Sequence, residues 1–366
     1  MIVEYLLIIV TSLLIIEFII LLVGLVKSTK TKHNDEFEPS VTIIVAARNE
    51  EHSIKPCLES LSKLNYPVEK LEIIVVNDQS SDGTEKIIKD HIINYPHFKL
   101  INSTPDAGNL IGKVNAVTQG IEATKNEFIL FTDADCVLPK NWVKQTVHYF
   151  QNQVGVVGGF TILDANNTFE GIQSLDWIYL FSVGSAAATL GFPLTGVGNN
   201  LAVRRKDYEQ TGGYRVIPFS VTEDYALTQA IVQKNKSKMV FPLDEKTLVT
   251  SLACPTWKNL FRQKQRWGVG GLDMVTMGFV VFSLPFAFNL LIIAGIFLFS
   301  PSTLILALVS KMAVDSLFLT YALHKLKLKR YMKYFFAFEL YLFIYSMLLP
   351  FVAILTKKII WKERSL

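Results

Sequence analysis

Acidic side chains recur after apolar runs in the middle of this chain, and their types suit metal binding and proton transfer. Asp133-Ala134-Asp135 directly follows the apolar run 128–131, so both carboxylates emerge at the end of a predicted strand. At positions i and i+2 they point the same way if the backbone stays extended. Mg²⁺ and Mn²⁺ prefer oxygen ligands, often one or two carboxylates with substrate phosphates and water. Because a lone D-x-D also arises by chance, its placement at a strand end carries this prediction.

Two more acids, Asp78 and Asp82, follow a second apolar run at 71–76 and lie among Ser, Gly and Thr residues. Such residues favour turns and helix caps, which would explain both acids without any ligand. Alternatively, Asp78 at a strand end accepts hydrogen bonds from a nucleotide base or ribose. The sequence leaves both interpretations open.

Thr222-Glu223-Asp224 opens the helical pattern 225–233. Thr222 is a candidate N-cap, and the helix dipole favours the two acids in the first turn. That structural role is sufficient to explain them. A carboxylate kept ionised by the same dipole is also a suitable general base for an acceptor hydroxyl, so Asp224 is the candidate base.

The stretch 257–267 combines aromatic and basic residues at helical spacing and ends in Gln263-x-x-Arg266-Trp267. Its simplest interpretation is an amphipathic helix on anionic lipid. Arg266 could in addition bind a diphosphate through two parallel hydrogen bonds, while Trp267 offers a flat face to a sugar or acceptor. Arg262 and Lys264 require no role beyond the surface.

The elements that position these motifs repeat as strand, loop and helix. The run 41–47 ends in Arg48-Asn49-Glu50 and precedes a helical stretch, and the run 71–76 is followed by another. This repetition predicts a mostly parallel α/β sheet with ligand-binding loops at the carboxyl ends of its strands. Further strands are predicted at 98–102, 128–132 and 154–160.

Other motifs are absent or incomplete. Gly112-Lys113 lacks the following Ser or Thr of a phosphate-binding P-loop, and no H-E-x-x-H metalloprotease motif occurs. Cys57, Cys136 and Cys254 are widely spaced, which argues against a disulfide framework and a zinc site and favours reduced thiols.

Half of the 366 residues are hydrophobic, and the mean hydropathy of +0.33 indicates a membrane protein with a polar portion. Apolar segments at 6–26, 277–299, 303–323 and 334–355 are each long enough to cross a bilayer. The first is expected to be an uncleaved anchor. Basic residues follow this first segment and also lie between the third and fourth segments. They predict that the polar domain faces the cytoplasm and that the protein is integral to the plasma (inner) membrane.

The tail of the chain is also basic. Four crossings would place this tail outside the cell, where basic residues are disfavoured, so the tail is inconsistent with four crossings. One interpretation is that a segment dips without crossing, broken at Pro285 or Pro350. Much of the positive charge behind the net charge of +4 lies beside the spans. The expected partner is therefore the bilayer, and nucleic acid is not expected. The spans also contain charges, for which we expect a structural ion pair of Lys311 with Asp315 or Glu17; the alternative is a polar path for a lipid headgroup or glycan.

Taken together, the order of the motifs resembles membrane-bound glycosyltransferase family 2. The residues that carry the resemblance are Ala46-Ala47-Arg48-Asn49-Glu50, Asn77-Asp78, Ser81-Asp82-Gly83-Thr84, Gly112-Lys113, Asp133-Ala134-Asp135, Thr222-Glu223-Asp224 and Gln263-x-x-Arg266-Trp267. The resemblance covers the whole polar domain and its flanking spans. It implies a GT-A fold and inverting transfer from a nucleotide-sugar, most often UDP-linked.

The resemblance also implies roles for single residues. Glu50, Asp78, Lys113 and Asp133 would bind the nucleotide-sugar, and Asp135 would hold Mg²⁺ or Mn²⁺. Asp224 would be the catalytic base. Gln263, Arg266 and Trp267 would border the diphosphate and the acceptor.

Both processive polysaccharide synthases and lipid glucosyltransferases share the Q-x-x-R-W motif. With only four spans, polymer export would require a partner or an oligomer, so the expected acceptor is a membrane lipid and the alternative is a growing glycan. A non-catalytic flippase or scaffold subunit is the alternative from another class. The sugar, the linkage and the oligomeric state are left open.

These interpretations divide the chain into five parts. They are an N-terminal anchor at 1–29, the glycosyltransferase domain at 36–255, an amphipathic interfacial segment at 256–276, three membrane segments at 277–356 and a basic tail at 357–366.

Overall fold

The computed structural model describes residues 2–30, 34, 36–106, 108, 110–151, 153–356, 360–361 and 364–365. The longer strands are β1 (Val41–Ala47), β2 (Leu71–Asn77), β3 (Phe98–Asn102), β4 (Phe128–Asp133), β5 (Val154–Gly158), β6 (Thr161–Leu163), β7 (Leu201–Arg204), β8 (Lys238–Val240) and β9 (Val249–Ser251). The helices are α1 (Ile2–Ser28), α2 (Ile54–Leu61), α3 (Thr84–Ile92), α4 (Gly112–Glu122), α5 (Trp142–His148), α6 (Thr168–Thr189), α7 (Arg205–Thr211), α8 (Glu223–Asn235), α9 (Trp257–Gly271), α10 (Thr276–Leu298), α11 (Pro301–Lys325) and α12 (Phe335–Leu355).

Seven strands form the central sheet in the order β3-β2-β1-β4-β7-β5-β8. The strands β3, β2, β1 and β4 are parallel, and their β-branched, buried residues suit strands covered on both faces. Ala47 pairs with Asn77, and Ala46 pairs with Asp133, so these three strands end at one edge. The mostly parallel α/β sheet predicted from the sequence is confirmed.

The sequence predicted five of these nine strands and did not predict β6, β8, β9 or the central strand β7. This strand is antiparallel to both β4 and β5 and joins the two halves of the sheet. Its four residues are too few to show an alternating pattern. The predicted strand at 154–160 also ends earlier, at Gly158, and the chain then enters β6, which pairs with β9 in a separate two-stranded sheet.

The 22-residue helix α6 joins the catalytic-domain sheet to the membrane helices. On the sheet side, the Ser185 hydroxyl donates to the Phe241 carbonyl at 2.5 Å. On the other side, a Cβ added at Gly24 of α1 would lie 2.7 Å from the Ala186 carbonyl oxygen, so glycine permits this close approach. Because α6 is buried nearly all round, its sequence has no amphipathic pattern that would have revealed this role.

Four helices are long and apolar enough to span a membrane, as the sequence predicted: α1, α10, α11 and α12. The suggestion that Pro285 or Pro350 breaks one of them is wrong, because α10 and α12 continue through these residues. The predicted ion pair of Lys311 with Asp315 is present at 2.6 Å, and Glu339 is a second partner of Lys311. Both carboxylate oxygens of Glu17 are buried, with no hydrogen-bond partner among the described residues, so the expected pairing of Lys311 with Glu17 is not among the contacts described.

The residues that flank α12 contact the polar domain at one end and helix α9, which follows that domain, at the other. Just before the helix begins, the Tyr331 hydroxyl donates to the Leu163 carbonyl of β6 at 3.4 Å. Just after it ends, Thr356 accepts a hydrogen bond of 2.9 Å from the Gln265 side chain of α9. One crossing of a hydrocarbon core of about 30 Å would carry the second end to the opposite side. These contacts indicate that α12 lies along the domain, which removes the conflict over the basic tail.

We therefore predict that the chain crosses the membrane three times and that its C-terminus lies on the same side as the catalytic domain. A protease-sensitive reporter fused after Leu366 should be cleaved only when the side that carries the catalytic domain is open to protease. A matched reporter in the loop between α10 and α11, at Ser300, should show the reverse. Cleavage of both reporters from the same side as Ser300 would contradict the prediction.

Candidate active site

The predicted nucleotide-binding residues lie at the carboxyl edge of the central strands. Glu50 follows β1, Asp78 follows β2 and Asp133 is the last residue of β4. Since β1 lies between β2 and β4, the three side chains occupy neighbouring positions along this edge. These acids therefore lie at the carboxyl edge of the sheet, as expected, and their binding of a ligand stays a prediction.

Lys113 connects the D-x-D motif with the acids of α8. Its ammonium lies 2.6 Å from Asp133 and 3.4 Å from Glu223. Gly112 precedes it with a φ of 57°, a left-handed conformation that glycine adopts without strain and that turns the chain into α4. Burial acts to lower the pKa of the Lys113 ammonium, but the two carboxylates outweigh burial and raise that pKa. Lys113 is therefore a permanent cation among the acids.

Asp224 is held by backbone donors. Its Oδ2 accepts a hydrogen bond of 2.7 Å from the Gly198 N–H, and its Oδ1 accepts one of 2.8 Å from the Tyr225 N–H. Burial and the neighbouring Glu223 raise the pKa of the Asp224 carboxyl, while Lys113 opposes that rise. A carboxylate with a raised pKa is a stronger general base.

The two acids lie in the first turn of α8, as predicted, with Thr222 at the N-cap position. The predicted capping by the Thr222 hydroxyl is wrong, because it contacts the Ser220 hydroxyl instead and makes no cap hydrogen bond.

The Asp135 side chain contacts β9. Its Oδ2 accepts a hydrogen bond of 3.1 Å from the Ser251 hydroxyl. The backbone does not stay extended as the sequence analysis supposed, because β4 ends at Asp133 and residues 134–135 form a turn. Burial, followed by the negative charges of Asp133 and Glu50, raises the pKa of Asp135 to about 6. A bound cation would relieve this accumulation of negative charge.

The described residues contain no group of three or more His, Cys, Asp and Glu side chains that could enclose a metal ion. Asp133 and Asp135 nonetheless fit a cation that is shared with a ligand, since Mg²⁺ typically takes one or two carboxylates and completes its shell with phosphates and water. The donor set therefore suits a divalent ion that arrives with a phosphorylated substrate.

The two acids after β2 have different environments. The Asp82 carboxylate accepts from the Thr84 N–H at 3.0 Å and from the Glu51 N–H at 3.2 Å, so the turn interpretation is confirmed for it. The N-cap residue of α3 is Gly83 and not Asp82. Asp78 is only 2% exposed, and its Oδ1 accepts a hydrogen bond of 3.0 Å from Ser103 beyond β3. Asp78 therefore does not cap α3 and lies on the sheet edge.

Helix α9 brings the Q-x-x-R-W motif to the acids. Arg266 Nη1 lies 3.4 Å from the Val221 carbonyl, three residues before Asp224. A Cβ added at Gly270 would lie 2.4 Å from the Thr222 side chain, so glycine allows α9 to approach this loop closely. The Oε1 of Gln263 is buried without a hydrogen-bond partner among the described residues, which leaves an acceptor that a ligand hydroxyl could satisfy.

Lys264 is not the surface residue that the sequence analysis expected. It is 5% exposed and forms a buried ion pair with Asp176 of α6. Burial lowers the pKa of Lys264 and raises that of Asp176, and their mutual attraction opposes both shifts. The pair fastens α9 to α6, which in turn packs on the membrane helices.

Trp267 is half-buried between protein groups. The Lys264 ammonium lies 4.0 Å from its ring centroid, and the Trp177 ring lies 5.5 Å away. The open platform that the sequence suggested is therefore partly covered. The role of Trp267 toward the acceptor stays a prediction, as do the roles of the other site residues.

Sequence reasoning missed Gly198, Ser251 and Ser103, which contact the acids, and Asp176, which pairs with Lys264 of α9. Gly196-Val197-Gly198 before β7 was the available signal, because paired glycines indicate close backbone approach. The contacts of the other three residues join segments that are far apart in the chain, and a single sequence does not show such pairs.

A mostly parallel sheet with acids at its carboxyl edge, joined to apolar helices, is the arrangement expected of a domain with a GT-A fold. Residues 42–224, half of the chain, match the sequence model described as glycosyl transferase family 2. The chain belongs to glycosyl transferase family 2.

Similar proteins include a probable glycosyltransferase, YdaM, of Bacillus subtilis, which is 30% identical over 67% of this chain and 58% of its own length. A poly-beta-1,6-N-acetyl-D-glucosamine synthase of Staphylococcus epidermidis is 23% identical over 69% of this chain and 60% of its own. A beta-monoglucosyldiacylglycerol synthase of Trichormus variabilis is 29% identical over 64% of this chain and 49% of its own. The matches thus span about half to three fifths of these relatives.

Among solved structures, the mannosyltransferase PcManGT from Pyrobaculum calidifontis, in complex with GDP-Man and Mn²⁺, has a TM-score of 0.59 and 18% sequence identity. The alignment covers 93% of this chain and 99% of that one. At this identity the likeness establishes the fold, and the predicted GT-A fold is confirmed.

The buried pair predicts a loss of stability when Lys264 alone is changed. In Lys264→Met the Asp176 carboxylate stays buried without its cation, a loss of about 3–5 kcal/mol. The apparent midpoint of thermal unfolding in detergent should fall clearly, whereas Arg262→Met on the exposed side of the same helix should leave it nearly unchanged. Adding Asp176→Leu to Lys264→Met should recover most of the loss. An unchanged midpoint in Lys264→Met would refute the structural role.

Proposed function

We propose that this chain transfers a hexosyl unit from a nucleotide-sugar, most often UDP-linked, to a membrane-held acceptor, and that the acceptor is a lipid. The observation that carries the proposal is the meeting of two motifs at one loop. Arg266 of α9 contacts Val221, and Asp224 follows three residues later beside Lys113. The site for the diphosphate and the site for the proton are thereby adjacent.

The surroundings of α9 support a membrane-held acceptor. Its exposed face carries Trp257 and Phe261, with side chains 62% and 52% exposed, beside Lys258 and Arg262. Such a face suits the boundary between headgroups and acyl chains. Its other face packs on α12, where Leu349 and Ala353 meet Gly268. A lipid arriving within the bilayer would therefore reach the site without leaving the membrane surface.

The proposed reaction is a single in-line displacement at the anomeric carbon. The acceptor oxygen forms the new bond to that carbon while the bond to the diphosphate oxygen breaks, and the electron pair departs with the nucleoside diphosphate. The Asp224 carboxylate accepts the proton of the acceptor hydroxyl, helped by its raised pKa. One displacement inverts the anomeric configuration.

Charge on the departing diphosphate is balanced by the guanidinium of Arg266 and the ammonium of Lys113. Both are positioned before substrate arrives, which is the form of electrostatic stabilisation that is most effective in catalysis. Glu50, Asp78 and Asp133 bind the nucleotide-sugar, and the buried Oε1 of Gln263 accepts from a hydroxyl. When bound, Mg²⁺ or Mn²⁺ at Asp135 and Asp133 supplies further neutralisation of the phosphates.

The similar proteins give precedents for these ligands. The Pyrobaculum mannosyltransferase was crystallised with GDP-Man and Mn²⁺, a nucleotide-sugar and a divalent ion on this fold. By name, one relative makes monoglucosyldiacylglycerol, a lipid product, and another makes poly-N-acetylglucosamine. Processive synthesis with a partner or as an oligomer is therefore the second candidate. We also propose that the domain faces the cytoplasm at the plasma membrane, because basic residues flank the ends of α1 and α11 on its side.

The proposed base predicts a separation of binding from catalysis. Asp224→Asn keeps the size of the side chain but removes proton acceptance, so transfer should fall more than about a hundredfold, within the usual contribution of a general base. Binding of UDP, measured by calorimetry, should change little. The matched control is Asp90→Asn on the exposed surface of α3, which should keep full activity. Full transfer by Asp224→Asn would exclude this residue as the base.

The proposed cation site makes a second prediction. Removal of divalent ions with EDTA should abolish transfer, and added Mn²⁺ or Mg²⁺ should restore it, because several kcal/mol of charge stabilisation are lost with the ion. Asp135→Asn should require a much higher concentration of Mn²⁺ for the same rate. Transfer that persists in EDTA, with normal activity of Asp135→Asn, would contradict a cation at this position.

A further inference from the structure

A second cavity, of about 600 Å³, lies where the end of α11 meets the catalytic domain, away from the acids of the active site. Leu243, Asp244 and Glu245 line it from the domain side. Its other wall is basic, and the residues of that wall are His324, Lys325, Lys327, Lys329 and Arg330. All five basic side chains are exposed to solvent.

The turn after α11 gathers these cations. Lys327 has a φ of 58°, and the Leu328 N–H donates to the Leu323 carbonyl at 2.7 Å, which closes a left-handed helix cap. Glycine is the usual residue at such a position, yet here it is lysine. The reversal places Lys325, Lys327 and Lys329 around one opening.

The cavity has an excess of positive charge. Glu245 neutralises Lys327 at 2.5 Å, and Asp244 accepts hydrogen bonds from the Tyr149 hydroxyl and the Lys246 N–H. Within the described ranges, no carboxylate lies within 4 Å of Lys325, Lys329 or Arg330. Lys325 and Lys329 therefore line the cavity without an ion-pair partner among the described residues, and Arg330, whose charge also interacts with the Tyr331 hydroxyl and the Asp164 carboxylate, lines it beside them. An anion with several oxygens would satisfy the three cations together.

The cavity also lies at a membrane surface. Lys325 is the last residue of an apolar helix suited to spanning the bilayer. Two tyrosines lie beside these cations, with Lys325 5.7 Å from the Tyr321 ring centroid and Arg330 5.3 Å from that of Tyr331. Tyrosine and basic residues together are typical of the headgroup layer. An anion that is concentrated there is a phospholipid phosphate.

The domain wall of the cavity leads to the active site. Glu245 begins a short 3₁₀ turn, and the Thr247 carbonyl at its end accepts from the Asn200 side chain at 2.9 Å. Strand β9 follows, and its last residue, Ser251, donates to Asp135. A ligand that holds this wall therefore supports the segment that positions the D-x-D motif.

We propose that this cavity binds the headgroup of an anionic phospholipid that is distinct from the acceptor. The lipid phosphate contacts Lys325, Lys329 and Arg330 and holds the catalytic domain against the membrane. The proposal does not depend on which sugar or acceptor the enzyme uses. It differs from a diffuse basic flank because it assigns binding to the residues that line one cavity.

The test measures binding of fluorescent phosphatidylglycerol to the purified full-length protein in neutral detergent, with phosphatidylcholine as the reference lipid. Lys329→Gln removes one cavity cation. Lys333→Gln is the matched control, because Lys333 is exposed in the same 3₁₀ segment, lies over the Tyr334 ring and does not line the cavity. Lys329→Arg keeps the charge.

We expect preferential binding of phosphatidylglycerol, reduced about fivefold by Lys329→Gln, the usual effect of one cation near an anionic surface. Lys333→Gln and Lys329→Arg should bind as the unchanged protein does. Neutralising Lys325, Lys329 and Arg330 together should abolish the preference.

Three results would overturn the proposal. Equal losses in Lys329→Gln and Lys333→Gln would indicate a diffuse charged surface. Complete competition by inorganic phosphate would indicate a site for a free anion. Equal binding of the two lipids would show that the cavity does not select an anionic headgroup. Because the measurement is of binding, its outcome is independent of the proposed sugar transfer.

Discussion

The crowding of carboxylates at one sheet edge is the constraint on which the site depends. Asp133 and Asp135 come from the end of β4 and the turn after it, and Glu223 and Asp224 come from the start of α8. Like charges that are close together and partly buried resist ionisation. Lys113 partly offsets this repulsion, because its ammonium forms ion pairs with both Asp133 and Glu223. Negative charge remains unbalanced at Asp135, whose pKa is raised to about 6. An edge that is already anionic and partly balanced is suited to a cation and a diphosphate that arrive together.

A second requirement is that this edge be held at the membrane. Helix α6 meets it, since it packs on the sheet with one face and on α1, α11 and α12 with the others. Two polar contacts secure the arrangement: Asp176 with Lys264 of α9, and the Tyr179 hydroxyl with Asp315 of α11 at 3.0 Å. The helix that carries Arg266 is thus fixed to the same support as the membrane helices. One helix, α6, therefore supports both α9, which carries Arg266, and the helices that could span a membrane.

The sequence was sufficient for the parallel strands, the apolar helices and the grouping of acids at strand ends, because each leaves a periodic or positional pattern. It was insufficient for β7, which is too short to show alternation, and for α6, which is buried on nearly all sides and has no polar face. It also misjudged Lys264, because the partner of a buried charge lies 88 residues away and no local pattern reveals it. The glycines around Val197 show the same limit: they allow the backbone to approach Asp224, and their importance becomes visible only when that contact is known.

The central claim is that a hexosyl unit passes from a UDP-sugar to a lipid at the membrane surface. The most direct measurement incubates the purified protein, in vesicles of native lipid extract with Mn²⁺, with a panel of labelled UDP-hexoses, and then separates lipid-extractable from high-molecular-weight product. Transfer to a lipid predicts label in the extractable fraction for one sugar, with inverted anomeric configuration. Label confined to high-molecular-weight material, or retained configuration, would contradict it.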